Sequence, residues 1–162
     1  MFRLTKKLAA ILVLLSSSHA LAAGNYSYHY AQVISVTDGD SIRVRMDNRP
    51  VMVRLADIDA PEKEQEFGMK SRQYLGNLLF GKQVRIMTIS RVSNSQIIGR
   101  VYLDNMDVSA DLVRKGYAWA AGQGRSDPAF LRLETEARNF RRGLWAGVPV
   151  PPWQWRGKHP GP

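Results

Sequence analysis

The chain reads as an α+β protein with a mainly β core, a five-stranded Greek-key barrel carrying three helices. Five short runs rich in Val and Ile fall between residues 33 and 103, separated by turn residues. One helical period interrupts them after the third run, and two more follow the fifth. Short strands with a helix inserted after the third are the pattern of a small closed barrel.

Residues 1–22 precede that framework. Arg3, Lys6 and Lys7 open the chain, Leu8 to Leu15 is apolar, and Ala20-Leu21-Ala22 is a small-residue end. This is the layout of a secretory signal peptide, with a cut between Ala22 and Ala23. The apolar run is far shorter than the ~20 residues a spanning helix needs, and no cysteine follows it to carry a lipid. Residues 23–162 are therefore expected to be exported, periplasmic or secreted, as a monomer with no stable membrane association. A domain over 23–147 and a Pro/Trp-rich tail over 148–162 make up this mature part, whose length suits one hydrophobic core.

The formal charge of +9 includes three basic signal residues and no acidic ones, leaving +6 on the mature chain. That balance favours an anionic partner. Zero cysteines remove disulfides and thiolate metal sites. His19, His29 and His159 do not cluster, so a histidine metal centre or histidine acid/base pair has no support.

Gly24 to Tyr30 is a lead-in whose alternating Tyr26, Tyr28 and Tyr30 read as the start of an edge strand in preference to base-stacking groups. Strands are expected at Val33–Val36, Ser41–Met46 and Val51–Ala56, with turns at Asp38-Gly39 and Asp47-Asn48-Arg49-Pro50. Lys63 to Glu66 reads as a mobile, solvated loop. A helix runs from Phe67 or Gly68 through Leu79, with Tyr74, Leu75, Leu78 and Leu79 on one stripe and Gly81 as its stop. Lys82–Ile89 and Ile97–Leu103 are the fourth and fifth strands, joined by a polar loop from Ser90 to Gln96. This is the oligonucleotide/oligosaccharide-binding (OB) type of barrel. Ser109 is the expected N-cap of a short helix ending at Lys115 and Gly116. Asp127-Pro128 opens a longer one with Phe130, Leu133, Ala137, Phe140 and Leu144 buried, and Arg132, Arg138, Arg141 and Arg142 mostly solvated. Trp119 is assigned to the core. Val148 to Pro162 holds five of the eight prolines and is expected to be non-helical, with Trp153 and Trp155 pressed onto the barrel.

The chemistry concentrates in Val51 to Glu62. An apolar strand ends there in Asp57, Asp59 and Glu62, with Arg54 inside it. Asp40 and Asp59 are hard oxygen ligands for a divalent cation such as Ca²⁺. Pro61 fixes the chain direction after Asp59, so the carbonyl of Ala60 can complete the shell. Glu62 lies close enough in sequence to orient or deprotonate a water beside such an ion. Arg54 and Arg100 can hold a phosphate through forked, charge-assisted hydrogen bonds. Arg54 alternatively is satisfied by a neighbouring carboxylate such as Asp57, since unpaired burial of its charge is costly. Gly99, before Arg100, allows another backbone or a ligand to come close.

Asp38-Gly39-Asp40-Ser41, then Arg54-Leu55-x-x-Ile58-Asp59-Ala60-Pro61-Glu62, Gly99-Arg100, Leu112 to Ala118, Ala137-Arg138 and Gly143-Leu144-Trp145 follow one another in unbroken order. Together they resemble the staphylococcal nuclease (thermonuclease) family over roughly residues 30 to 147. The resemblance implies a metal-dependent nuclease acting on DNA and RNA and leaving 3′-phosphate ends. In that family pattern Asp40, Asp59 and the Ala60 carbonyl hold Ca²⁺, Mg²⁺ or Mn²⁺ also suiting the ligand types. Glu62 activates or aligns water, and Arg54 and Arg100 stabilise the transition state. Ile97 and Ile98 stand where a lysine and a tyrosine often touch the nucleotide, and Gly122 and Gly124 where further tyrosines stack. Tyr117, Trp119 or the N-terminal tyrosines are the alternatives for that contact. A non-catalytic binding barrel would show gaps in the set Asp40, Arg54, Asp59, Glu62 and Arg100, and an exported interaction module would need no carboxylate cluster. The set is complete.

Overall fold

The computed structural model describes residues 27–120 and 127–159. The signal segment, Tyr26, Gly122 and Gly124 lie outside them. In chain order the elements are β1 Ser27–Asp38, β2 Ser41–Met46, β3 Arg49–Leu55, β4 Ile58–Asp59, α1 Gly68–Leu79, β5 Gln83–Ser93, β6 Gln96–Leu103, β7 Met106–Asp107, α2 Val108–Arg114, β8 Trp119–Ala120, α3 Pro128–Asn139, a 3₁₀ turn Gly143–Ala146 and α4 Pro152–Lys158.

Five of the strands close a barrel in the order β3-β2-β1-β5-β6, and a parallel pairing of β6 back onto β3 seals it. β1 serves two neighbours: Ser27–Gln32 pairs with β5, and Gln32–Asp38 with β2 through two bulges. Such bulges sharpen the bend that lets a strand turn from one side of a barrel to the other. Alternation sends Ile42, Val44, Val53, Leu55, Val84, Ile86, Ile97 and Val101 inward, where all are essentially sealed from solvent. Leu75 and Leu79 of α1 and Val108, Leu112 and Val113 of α2 join this core. Trp119 is buried as expected, in a smaller cluster with Ala137, Leu144 and Trp145.

Several boundaries differ from those expected. The β2–β3 turn is only Asp47-Asn48, both at positive φ as a two-residue hairpin requires, so Arg49 and Pro50 belong to the strand. The polar loop Ser90–Gln96 is mostly strand: β5 runs to Ser93 and only Asn94-Ser95 turns. Asp107, not Ser109, caps α2, its carboxylate accepting from the Ala110 amide at 3.1 Å, while Ser109 is buried. Phe140 is 68% exposed because α3 stops at Asn139. Lys63–Glu66 is an ordered turn, since the Gln65 amide donates to the Glu62 carbonyl at 2.9 Å and Gln65 is buried. The tail is helical after all, with Pro152 at the first helical position, where its missing N–H costs nothing. There are thus four helices among the described residues, not three. None of them is long and apolar enough to cross a membrane.

Candidate active site

Asp40 is placed by the tight turn between β1 and β2, in which Asp38 pairs with Ser41 and Gly39-Asp40 form the corner. Gly39 is packed so closely that a Cβ there would stand 2.7 Å from the Cβ atoms of both Ala60 and Ser71. The Asp40 carbonyl accepts from the Leu55 amide at 2.8 Å, which ties the corner to the end of β3. Its carboxylate accepts from the Ser41 hydroxyl at 2.9 Å and from the Ala60 amide at 3.1 Å. Burial pushes this carboxyl up to about 7; Arg54 opposes that rise and Asp38 adds to it. Burial favours the neutral acid, and the Arg54 guanidinium at 3.2 Å is the cation that favours its ionised form.

Asp59 comes to the same place on β4, a two-residue strand held by β8. One nitrogen of Arg54, Nη2, lies 3.2 Å from Asp40 Oδ2 and 3.2 Å from Asp59 Oδ1, bridging the two acids. The partner of Arg54 is therefore this acid pair and not Asp57. Glu62 is oriented through Gln65, whose Oε1 accepts from the Glu62 amide at 3.1 Å. Gln65 also donates to the Val150 carbonyl of the tail.

The tail supplies a residue that no sequence pattern places here. Arg156 of α4 grips both oxygens of Asp59, at 3.1 and 2.7 Å, and donates to Glu62 at 2.7 Å. These bonds hold its guanidinium firmly protonated. Trp153 presses its edge towards Trp119 at 6.5 Å but stays 46% exposed, and Trp155 stacks on His159 at 3.9 Å. The sequence signals for this contact are slight: the Pro-Pro pair that starts the helix and the basic residue after the two tryptophans.

Arg100 contacts a different set of acids. Its Nε donates to Asp57 at 3.0 Å and its Nη2 to Asp127 at 3.1 Å, with Asp107 at 3.7 Å from Nη1 and the Phe130 ring at 5.2 Å. Asp127 caps α3 through the Ala129 amide, and that bond together with Arg100 holds its carboxyl below the usual range. Asp57, which the sequence leaves without a role, is thus the partner of Arg100. The turn from Leu55 to Asp59 joins the two sets, and the Ala56 amide donating to the Gly99 carbonyl at 2.9 Å anchors it. Gly99 allows close approach of the Met87 carbonyl, which a Cβ would meet at 2.8 Å.

The donor chemistry suits a hard divalent cation. Asp40 and Asp59 are buried, offer only oxygen, and share one guanidinium nitrogen, so their facing oxygens converge. The Arg156 guanidinium already stands as a cation on Asp59. Among the described residues no three His, Cys, Asp or Glu side chains gather as a ligand set, so the shell would need backbone or water oxygens besides these two carboxylates. Ile97 is sealed in the core, whereas Ile98 is half-buried in register with Arg54.

Comparison with known proteins finds one family model and several similar chains. The family model described as staphylococcal nuclease homologue matches residues 52–147. An uncharacterized endonuclease of Escherichia coli is 42% identical over 129 residues, covering 78% of this chain and 84% of its own. Protein ParB of Escherichia coli is 39% identical over 168 residues, with 96% and 92% covered. Micrococcal nuclease of Shigella flexneri is 35% identical over 137 residues, with 77% and 79% covered.

Proposed function

Because the chain belongs to the staphylococcal nuclease homologue family and is a nuclease hydrolase of that type, we propose that it is a Ca²⁺-dependent phosphodiesterase that cleaves DNA and RNA to leave 3′-phosphate ends. The observation that carries this is the pair of buried carboxylates, Asp40 and Asp59, converging on Arg54 beside a half-exposed Glu62.

Asp40, Asp59 and the Ala60 carbonyl would hold the ion; Mg²⁺ and Mn²⁺ also suit oxygen donors. When bound, it supplies positive charge to a phosphate oxygen. Glu62 orients or deprotonates the attacking water. Arg54 and Arg100 donate to the phosphate oxygens on which charge grows as the five-coordinate phosphorus forms. Neither is suited to protonate the leaving oxygen, because a guanidinium hardly gives up its proton. Arg156 occupies both oxygens of Asp59, so its guanidinium would have to yield to a divalent ion that took those same positions. We extend the proposal to residues 1–22 as a cleaved signal peptide and to an exported, periplasmic or secreted monomer free of the membrane.

The test is degradation of single-stranded DNA by residues 23–162 with Ca²⁺, with Mg²⁺ and with chelator, beside Glu62→Gln. Cleavage that needs Ca²⁺ and collapses in Glu62→Gln is expected. Salt-sensitive binding with no cleavage under any metal would overturn the assignment in favour of a binding barrel.

A further inference from the structure

The outer face of the sheet beside Arg100 carries a second set of groups suited to a nucleic-acid strand. The register places Tyr30 opposite Arg85 and Arg85 opposite Tyr102; two steps along, Tyr28 lies opposite Met87 and Met87 opposite Arg100. Directly opposed residues share a face, so these side chains form two adjacent rows that reach Arg100.

Arg85 is the unusual member. Its guanidinium carbon lies 4.4 Å from the centre of the Tyr102 ring and 5.3 Å from that of Tyr28, so two aromatic rings hold it. Among the described residues no carboxylate pairs with it, whereas Arg54, Arg100 and Arg156 are all engaged by acids. Asp107, across from Tyr102 on β7, is already turned to Arg100. Beside this oriented guanidinium, Tyr28 is 51% and Tyr30 77% exposed, a large aromatic surface to leave in water. Ile97 is buried and Ile98 is aliphatic, so bases that are to stack need rings elsewhere.

We infer that this face is a subsite for single-stranded nucleic acid flanking the bond to be cleaved: Arg85 binds a phosphate neighbouring the one at Arg100, and Tyr30 with Tyr28 stacks flanking bases. This rests on the nuclease reading, since Arg100 supplies its origin. The occupant follows from charge complementarity. Arg85, which no carboxylate pairs among the described residues, set among the rings of Tyr28, Tyr30 and Tyr102, matches a phosphate flanked by unpaired bases, while the charge of Arg100 is shared with Asp57, Asp107 and Asp127.

Binding is measured with the Glu62→Gln protein in chelator, so that the strand stays intact, using a labelled single-stranded 12-mer and a dinucleotide over a range of salt. Arg85→Gln should weaken the 12-mer about tenfold and lower the log–log salt slope by about 0.7, the increment for one phosphate contact on a single strand. Arg85→Lys should keep the slope, and the dinucleotide should bind all variants alike. Tyr30→Ala, at a site too exposed to affect folding, should cost about fivefold in 12-mer affinity with no change in slope. In the protein that retains Glu62, Arg85→Gln should raise KM for the 12-mer and leave kcat unchanged. Unchanged 12-mer affinity and slope in Arg85→Gln, with the native protein still cleaving, would overturn the subsite alone. A native protein that neither cleaves nor binds single strands would overturn the nuclease reading and this subsite together.

Discussion

Arg100 illustrates how much a single guanidinium is asked to do. It meets Asp57 through Nε and Nη2 and Asp127 through Nη2, so its plane is fixed with no ligand present. Only a planar fork can meet those partners while keeping other N–H groups for a ligand; an ammonium offers a point charge. Arg100→Ala should therefore lower kcat/KM at least about 100-fold, the scale for losing one transition-state donor. Arg100→Lys should recover little of it. Circular dichroism must accompany both rate measurements, since either change leaves Asp57, Asp107 and Asp127 without their shared cation. Native-like rates in a folded Arg100→Ala protein would remove the residue from the mechanism. Arg54, Asp59 and Glu62 stand out in the sequence because they fall within nine positions of one another at a strand end, whereas Asp57 among them is left without a role and Arg156 is missed. How they pair is not legible, because alternation gives the face a side chain occupies and says nothing of which acid lies across the next strand.

At the scale of elements, the tight corner Gly39-Asp40 sets the position of the Asp40 carboxylate. A Cβ on Gly39 would press on Cβ atoms of Ala60 and Ser71, neither of which is the free end of a flexible chain. Gly39→Ala should thus destabilise the fold by about 1–3 kcal/mol through overpacking, lowering the urea midpoint. It should also weaken metal binding, because the displaced Ala60 amide is a donor to Asp40. An unaltered midpoint would show that the corner can shift at no cost. The elements readable from sequence are those with one face in the core, such as β2 and α1, whose predicted and observed limits coincide. The outer part of β5 reads as a loop because Ser90 to Ser93 are exposed on both faces, so burial leaves no alternating pattern. α4 is hidden from a sequence reading because a proline pair marks a helix start only when the residues after it pack. Its anchor, Arg156 on Asp59, spans 97 residues of chain.

For the molecule as a whole, that long-range contact links the state of the tail to the state of the site. The Val150 carbonyl accepts from Gln65, Gln65 holds Glu62, and Arg156 bridges Glu62 and Asp59, so the tail closes over the acids that would receive a divalent ion. On the proposed reading, Arg156 and a bound cation would compete for the two oxygens of Asp59. In chelator, Arg156→Gln should be the less stable protein, by no more than about 1 kcal/mol because the arginine is half exposed and screened. With Ca²⁺ at about 100 times its Kd, binding adds about 2.7 kcal/mol to the folded state. For a chain of this size that raises Tm by roughly 5–10 °C. The native protein would give up the Arg156 contacts in taking the ion, and the variant has none to give up. Arg156→Gln should therefore show the larger Ca²⁺-induced rise in Tm and the tighter Ca²⁺ binding by calorimetry. Fluorescence from Trp153 and Trp155 should change on Ca²⁺ addition in the native protein as α4 lifts, and much less in the variant. Equal Ca²⁺ affinity in the two proteins would mean that the guanidinium and the ion do not compete, and that α4 stays seated while the site is filled.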